Sequence, residues 1–320
     1  MIIEVLFGLK SNITSWSNQV CNTKMSDGTE IDICIDKIEC KVRISHEILE
    51  TAKDYLYLVW ELLTWYDGYF YKPINYLIDG KKQDVNSLIT LHMYATDEKW
   101  ISNALLIGRN QRCFSEEIIL KYKNLRNKDR TDKSMNKSMI NSYFCLISDA
   151  YRNINIEHRL VLLMHICDGF AREFLNGDNE NNAGNVSIIV KQIGKKKYKQ
   201  GAGLLNVDED KAVNALGNTR NELTHYKYDA AKPSLGAYIS NSDYETDNMV
   251  NLYAFFVLEI GLRVSLLETV GYVVDETIKE YLLDEYLDWI RIEKNLEEDC
   301  VIPMNLFRQI MQRLDEGTKD

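Results

Sequence analysis

The stretch DEDKAVNALGNTRNELTH, residues 208–225, decides how the chain is read. Asp208, Glu209 and Asp210 place acid at the start of a predicted helix, where the helix dipole favours negative charge. Ala212, Val213, Leu216 and Leu223 give that helix a modest buried face. Gly217, four residues before Asn221, allows a close helix crossing at some cost in helical stability. At the far end Asn221 and His225 are four apart and share a face, while Arg220 sits one position round with a side chain long enough to reach the same point. An imidazole, an amide and a guanidinium converge there.

Those three groups suit the cleavage of RNA. A base must take the proton from a ribose 2'-hydroxyl, an acid must protonate the departing 5'-oxygen, and a cation must hold the charge that builds on the phosphorus oxygens. His225 serves as base or acid because its unperturbed pKa lies near neutrality. Arg220 is permanently charged and forked, which matches two phosphate oxygens, and Asn221 can orient either partner. In-line displacement wants base and acid on opposite sides of the phosphorus, and one motif supplies one imidazole. A two-fold dimer with two copies of the motif would supply both. The bland reading is a His225 that caps the last helical turn beside a solvated Arg220.

The segment Arg220-Asn221-x-x-x-His225, set between apolar helical stretches, resembles the Arg-x4-His signature of the HEPN superfamily of helical ribonucleases and nucleotide-binding domains. The run Asn221 to His225 is most similar to the ApeA-like HEPN branch of bacterial anti-phage defence proteins, and the resemblance covers roughly residues 138 to 290. It implies a metal-independent endoribonuclease site at a homodimer interface, built from Arg220, Asn221 and His225. Thr224 and Tyr226, within and beside the motif, are the candidates to support it. No cofactor is expected. A related toxin branch has a tyrosine two places after the histidine, where an antitoxin modifies it. Here that place is Lys227, between Tyr226 and Tyr228. By resemblance the biology is phage defence or toxin-like growth arrest, with a phage-derived trigger or an antitoxin as partner. The alternatives are a non-catalytic HEPN-like scaffold that binds RNA or protein, and a ligand-sensing module on the same fold.

Upstream of the motif the period is helical from Ser138 onward. Tyr143, Phe144, Ile147 and Tyr151 mark one helix. Leu160, Leu163, Met164, Cys167, Phe170 and Phe174 mark a second, closed by Asn176-Gly177. His158 and His165 are seven apart on it, too far for one metal, and read as satisfied structural histidines. Val186 to Ile193 resumes an apolar pattern. Lys195, Lys196, Lys197 and Lys199 then form the densest basic cluster in the chain, and they are the candidates for RNA backbone contacts. Gly194-Lys195 is not a phosphate-binding loop, since no Gly stands five before Gly194 and no Ser or Thr follows Lys195. Downstream, Asp247 to Glu268 is apolar nearly all round and so predicts a central helix. Val274 to Asp320 reads as two amphipathic helices.

The first part has a different texture. Met1 to Leu9 suits a strand, and Ser11 to Asp27 a loop. Ile31, Ile33 and Ile35, then Ile38, Cys40, Val42 and Ile44, alternate with polar neighbours, with a phase shift at Asp36-Lys37 that predicts a bulged strand or a tight hairpin. Ser45 is expected to cap a helix carrying Ile48, Leu49, Ala52, Tyr55, Leu56, Val59, Trp60 and Leu63 at helical spacing. Tyr69 to Ile78 and Leu88 to Tyr94 read as strands with Asp79-Gly80 as a turn, Ile101 to Ile107 as a further strand, and Ser115-Glu116-Glu117 as a helix start. Trp60, Trp65, Tyr66, Tyr69, Phe70 and Tyr71 suit a helix-to-strand core better than a base-stacking surface. Between residues 121 and 137 seven basic residues stand against two acidic ones, as a solvated hinge between domains or as a strip that steers RNA.

The fold expected is therefore an α+β N-terminal domain over residues 1–137, a sensor or specificity module, followed over 138–320 by an all-α HEPN-like helical bundle. A chain of 320 residues that is 45% hydrophobic and 27% charged is long enough for two cores. A net charge of −10 excludes a general nucleic-acid-coating protein, so any RNA contact must be local. The seven cysteines show no CxxC and no matched Cys/His pairs, and read as reduced thiols of a cytoplasmic protein. Met1 to Leu9 lacks a basic leader, and the longest apolar run, Leu252 to Leu262, contains Glu259 and is too short to span a bilayer.

Overall fold

A computed structural model describes residues 1–8, 19–35, 39–67, 71–88, 114–128, 143, 156–177, 182–191 and 244–274. The chain divides into two compact units. The first comprises Met1–Arg152 with Leu266–Val273, and the second Asn153–Ser265 with Val274–Asp320.

In the first unit β1 (Ile2–Gly8), β2 (Gln19–Lys24), β3 (Glu30–Ile35), β4 (Glu39–Ser45), β5 (Lys72–Ile78) and β6 (Lys81–Lys82) form one antiparallel sheet. Their order is β2-β3-β4-β1-β5-β6. Ile3, Val5 and Phe7 of β1, Ile31, Ile33 and Ile35 of β3, and Cys40, Val42 and Ile44 of β4 are all buried, so period-two alternation puts one apolar face on the sheet. The register keeps that face continuous, with Val5 opposite Val42 and Val42 opposite Ile33. On the other face Glu4 takes Lys41 at 2.6 Å and Arg43 at 3.9 Å, and Lys24 meets Glu30 at 3.2 Å. Such exposed cross-strand pairs add little stability and mainly suit a wet face.

Helix α1 (Leu49–Asp67) packs on β1 and β4. Its second half is buried on every side, from Leu58 to Tyr66. Trp60 lies 5.0 Å from the Phe7 ring and donates its Nε1–H to the Tyr71 carbonyl at 2.9 Å. Trp60, Trp65, Tyr66 and Tyr71 are core, as expected, and Tyr69 and Phe70 lie outside the described residues. Helix α2 (Glu116–Lys128) starts where Ser115 predicts it, with Ser115 Oγ accepting the Ile118 N–H.

Of the two alternatives expected at the 36–37 phase shift the tight hairpin is the one formed, since Ile35 pairs with Cys40 in antiparallel sense. Three expectations change. Residues 19–24, expected in a loop, are the edge strand β2, whose pairing with β3 defines it more than its own weak alternation does. Ser45 does not cap α1. It ends β4 opposite Ile2, and His46 Nδ1 accepts the Ile48 N–H at 2.9 Å ahead of the first helical turn. Leu88 does not begin a strand but ends a 3₁₀ turn (Val85–Leu88) organised by Asp84. Asp79 and Gly80 form the expected turn, with φ of 48° and 75°. Residues 101–107 lie outside the described residues.

The second unit contributes α3 (Ile156–Phe174), α4 (Asn182–Lys191) and α5 (Tyr244–Thr269), though α5 ends among the residues grouped with the first. Leu160, Leu163, Met164, Cys167 and Phe170 are buried, as their spacing predicts. Asn176 takes the left-handed conformation (φ 56°), and Gly177 N–H returns to the Ala171 carbonyl at 2.9 Å to close the helix. From Leu262 to Leu267 α5 is buried on all sides, which makes it the central helix its composition implied. A Cβ built on Gly261 would come within 2.7 Å of the Ile189 carbonyl oxygen, so α4 and α5 cross backbone against backbone there. Of the helix expected over residues 143–151 only Tyr143 is described, and it is buried. The α+β character is thus present in the described residues; the two C-terminal helices expected after Val274 lie outside them.

Candidate functional site

Arg220, Asn221, Thr224, His225 and Tyr226 lie outside the described residues, as do Lys195, Lys196, Lys197 and Lys199. In sequence the motif stands between the helices α4 and α5. What the described residues add is a set of buried polar groups that pattern reading passed over.

In the second unit Asp168 of α3 is buried and fully engaged. Arg172 Nη2 donates to its Oδ2 at 2.6 Å and Asn185 Nδ2 of α4 to its Oδ1 at 2.8 Å. This pair fixes α4 on α3 and leaves the carboxylate no free oxygen for chemistry. On α5 Arg263 Nη1 donates to Glu259 Oε1 at 3.2 Å, one turn apart, and both side chains are buried. A buried ion pair of this kind costs desolvation on both sides, so its net contribution to stability is small while removal of one partner alone is costly. The apolar run around Glu259 concealed it, although the i, i+4 spacing of Glu259 and Arg263 was legible.

Cys167 is no nucleophile. Burial pushes its thiol well above the usual range, with Asp168 adding to the effect, and its Sγ faces the Leu258 carbonyl at 3.9 Å. His158 and His165 are both exposed. Their seven-residue spacing puts them both on the solvent side of α3. Among the described residues no group of three or more His, Cys, Asp or Glu is gathered as a metal would need.

In the first unit Glu61 of α1 is 1% exposed, with Tyr122 Oη donating to its Oε2 at 2.8 Å and Arg126 Nη2 meeting its Oε1 at 3.1 Å. Burial pushes its carboxyl above the ordinary value, against the opposing pull of Arg126 and Tyr122. Near β2, Asp27 accepts from Thr29 N and Oγ1 and from Tyr55 Oη at 2.8 Å. Burial raises the Asp27 carboxyl, the three hydrogen bonds lower it, and the net shift is downward. Both clusters are saturated by their own partners; the first ties α2 to α1, and the second ties α1 to the turn between β2 and β3.

Cys21, buried in β2, is disulfide-bonded, which corrects the expectation of seven reduced thiols. Spacing alone carried no sign of it. Cys34, Cys40 and Cys167 are free. No described helix is long and apolar enough to cross a membrane. No family model matches the chain, and no curated protein or solved structure matches it at a significant level.

Proposed function

We propose that the chain is a metal-independent endoribonuclease of the HEPN type, with Arg220, Asn221 and His225 as its catalytic groups at a composite homodimer site. The observation that carries the reading is the Arg220-Asn221-x-x-x-His225 spacing on a predicted helix that precedes the buried helix α5. The helical character of α3, α4 and α5 supports it.

One imidazole takes the 2'-hydroxyl proton, and the freed oxygen attacks the adjacent phosphorus. The bond from phosphorus to the 5'-oxygen breaks as the other protomer's imidazole gives that oxygen a proton. The products are a 2',3'-cyclic phosphate and a free 5'-hydroxyl. Arg220 holds the non-bridging oxygens as charge builds, and Asn221 orients the imidazole. Lys195, Lys196, Lys197 and Lys199 bind the RNA backbone, and Thr224 and Tyr226 support the motif. A cytoplasmic site of action, in phage defence or toxin-like arrest under a trigger or antitoxin, belongs to the same proposal. The Cys21 disulfide runs against a reducing compartment.

The second reading is a HEPN-like scaffold that binds RNA or protein without cleaving, and the net charge of −10 suits its protein-binding form because it disfavours broad contact with phosphates. Incubating the purified chain with mixed cellular RNA in EDTA, beside His225→Ala and a matched DNA, separates the two. The nuclease leaves 2',3'-cyclic ends on RNA only and only with His225 present, because DNA lacks the attacking hydroxyl. A folded dimer that cleaves nothing is the scaffold.

A further inference from the structure

Helix α2 has 13 residues, and of those whose burial is described only Ile119 and Tyr122 are buried. Ile118, Leu120 and Leu125 are half-buried beside them. Polar contacts add to that hold. Both carboxylate oxygens of Glu61 are taken by groups that α2 supplies, the Tyr122 hydroxyl at 2.8 Å and the Arg126 guanidinium at 3.1 Å. Lys123 Nζ lies 4.7 Å over the Tyr55 ring. At the first residue of the helix Ser26 N–H donates to Glu116 Oε1 at 2.6 Å, and just ahead of it Thr23 Oγ1 donates to the Phe114 carbonyl at 2.8 Å.

These contacts cannot be given up one at a time. If Arg126 swings out alone it leaves a buried carboxylate without its cation, which is far more costly than losing both partners together. If α2 lifts as a whole, water reaches Glu61, Tyr122 and Arg126 at once and each regains its hydration. Release is therefore all-or-none, the property of a two-state element.

We propose that α2 is a releasable strap on the first unit, with Glu61 of α1 as the catch and Tyr122 and Arg126 as the two hooks. In sequence α2 leads directly to Arg130, Lys133 and Lys137. The proposal is independent of the ribonuclease reading.

Hydrogen–deuterium exchange of the full chain tests it, with peptides from α2 compared with peptides from α1 and β1 after correction for intrinsic rates. In the unaltered protein α2 exchanges at least about tenfold faster than α1 and β1, because it opens without them. Arg126→Leu raises α2 exchange by about a further tenfold at neutral pH and leaves β1 unchanged. Acidification then restores protection, since a proton on Glu61 removes the unpaired charge. Among the described residues Arg126 and Tyr122 are the charged and titratable groups that bear on Glu61, so the recovery is assigned to Glu61 itself. Glu61→Leu combined with Arg126→Leu restores protection at every pH.

Two results overturn the proposal. One is α2 exchanging in step with α1 and β1, which makes it part of the cooperative core. The other is an Arg126→Leu effect that is the same at all pH values, which makes the contact one of packing. Should Arg126→Leu fail to fold, Tyr122→Phe keeps the ring and removes one hook, and its smaller rise in exchange must still be confined to α2.

Discussion

At Gly261 a single hydrogen atom decides how closely two helices approach. A methyl group there would lie 2.7 Å from the Ile189 carbonyl oxygen, and that oxygen belongs to backbone that cannot rotate away. Gly261→Ala is expected to destabilise the second unit by about 1–3 kcal/mol, the usual cost of overpacking, despite the gain in helix propensity. A lowered urea midpoint is the sign; an unchanged or raised midpoint would show that α4 yields. At Glu61 the residue scale is electrostatic. Burial raises the folded pKa above the ordinary 4.5, so the native state holds its proton where the unfolded chain has released it. Stability from this group is therefore fully present at acid pH and falls as pH rises from 4.5 toward the raised native value. Glu61→Gln should flatten that fall, as followed by urea denaturation in steps from about pH 4 to about pH 8. Parallel curves for the two proteins would refute it.

At the scale of elements, helix and strand ends are set by a few backbone positions. The β5-β6 connection needs two consecutive positive φ angles, 48° at Asp79 and 75° at Gly80, which is the twist an antiparallel hairpin requires. Open space surrounds Gly80, so Gly80→Ala pays only for the left-handed backbone, about 1–2 kcal/mol. A fall of several degrees in melting temperature, reversed by Gly80→Asn in part, is the expected result. Helix α5 ends in the same economy. Gly271 (φ 88°) lets its own N–H reach Glu268 O and the Tyr272 N–H reach Leu267 O, closing two carbonyls that would otherwise be orphaned. Elements of this kind were legible in advance wherever the local pattern was strong. The alternation in β3 and β4, the helical spacing in α3, the Asp79-Gly80 turn and the all-round apolar α5 each declare themselves in a few residues. Strand β2 and the start of α1 did not. The former exists through its neighbour β3, and the latter follows an imidazole, not the serine that local capping rules favour.

For the whole molecule the disulfide at Cys21 makes a countable claim. Seven cysteines less the two of one bridge leave at most five thiols open to alkylation in denaturant without reductant. Mass spectrometry of the oxidised chain should show no more than that number, and seven adducts would return the protein to the fully reduced state its spacing suggested. Sequence by itself determined the α+β character of the first unit and the described helices of the second, because periodicity and spacing are properties of neighbouring residues. Only the tertiary structure decided which polar groups are buried together. Glu61 meets Tyr122 and Arg126 across about sixty residues of chain, Asp168 meets Asn185 on the next helix, and Cys21 finds a partner that no local pattern names. Those pairings have no period. They form when elements already shaped by local preference are packed, and their cost and worth depend on the water excluded around them.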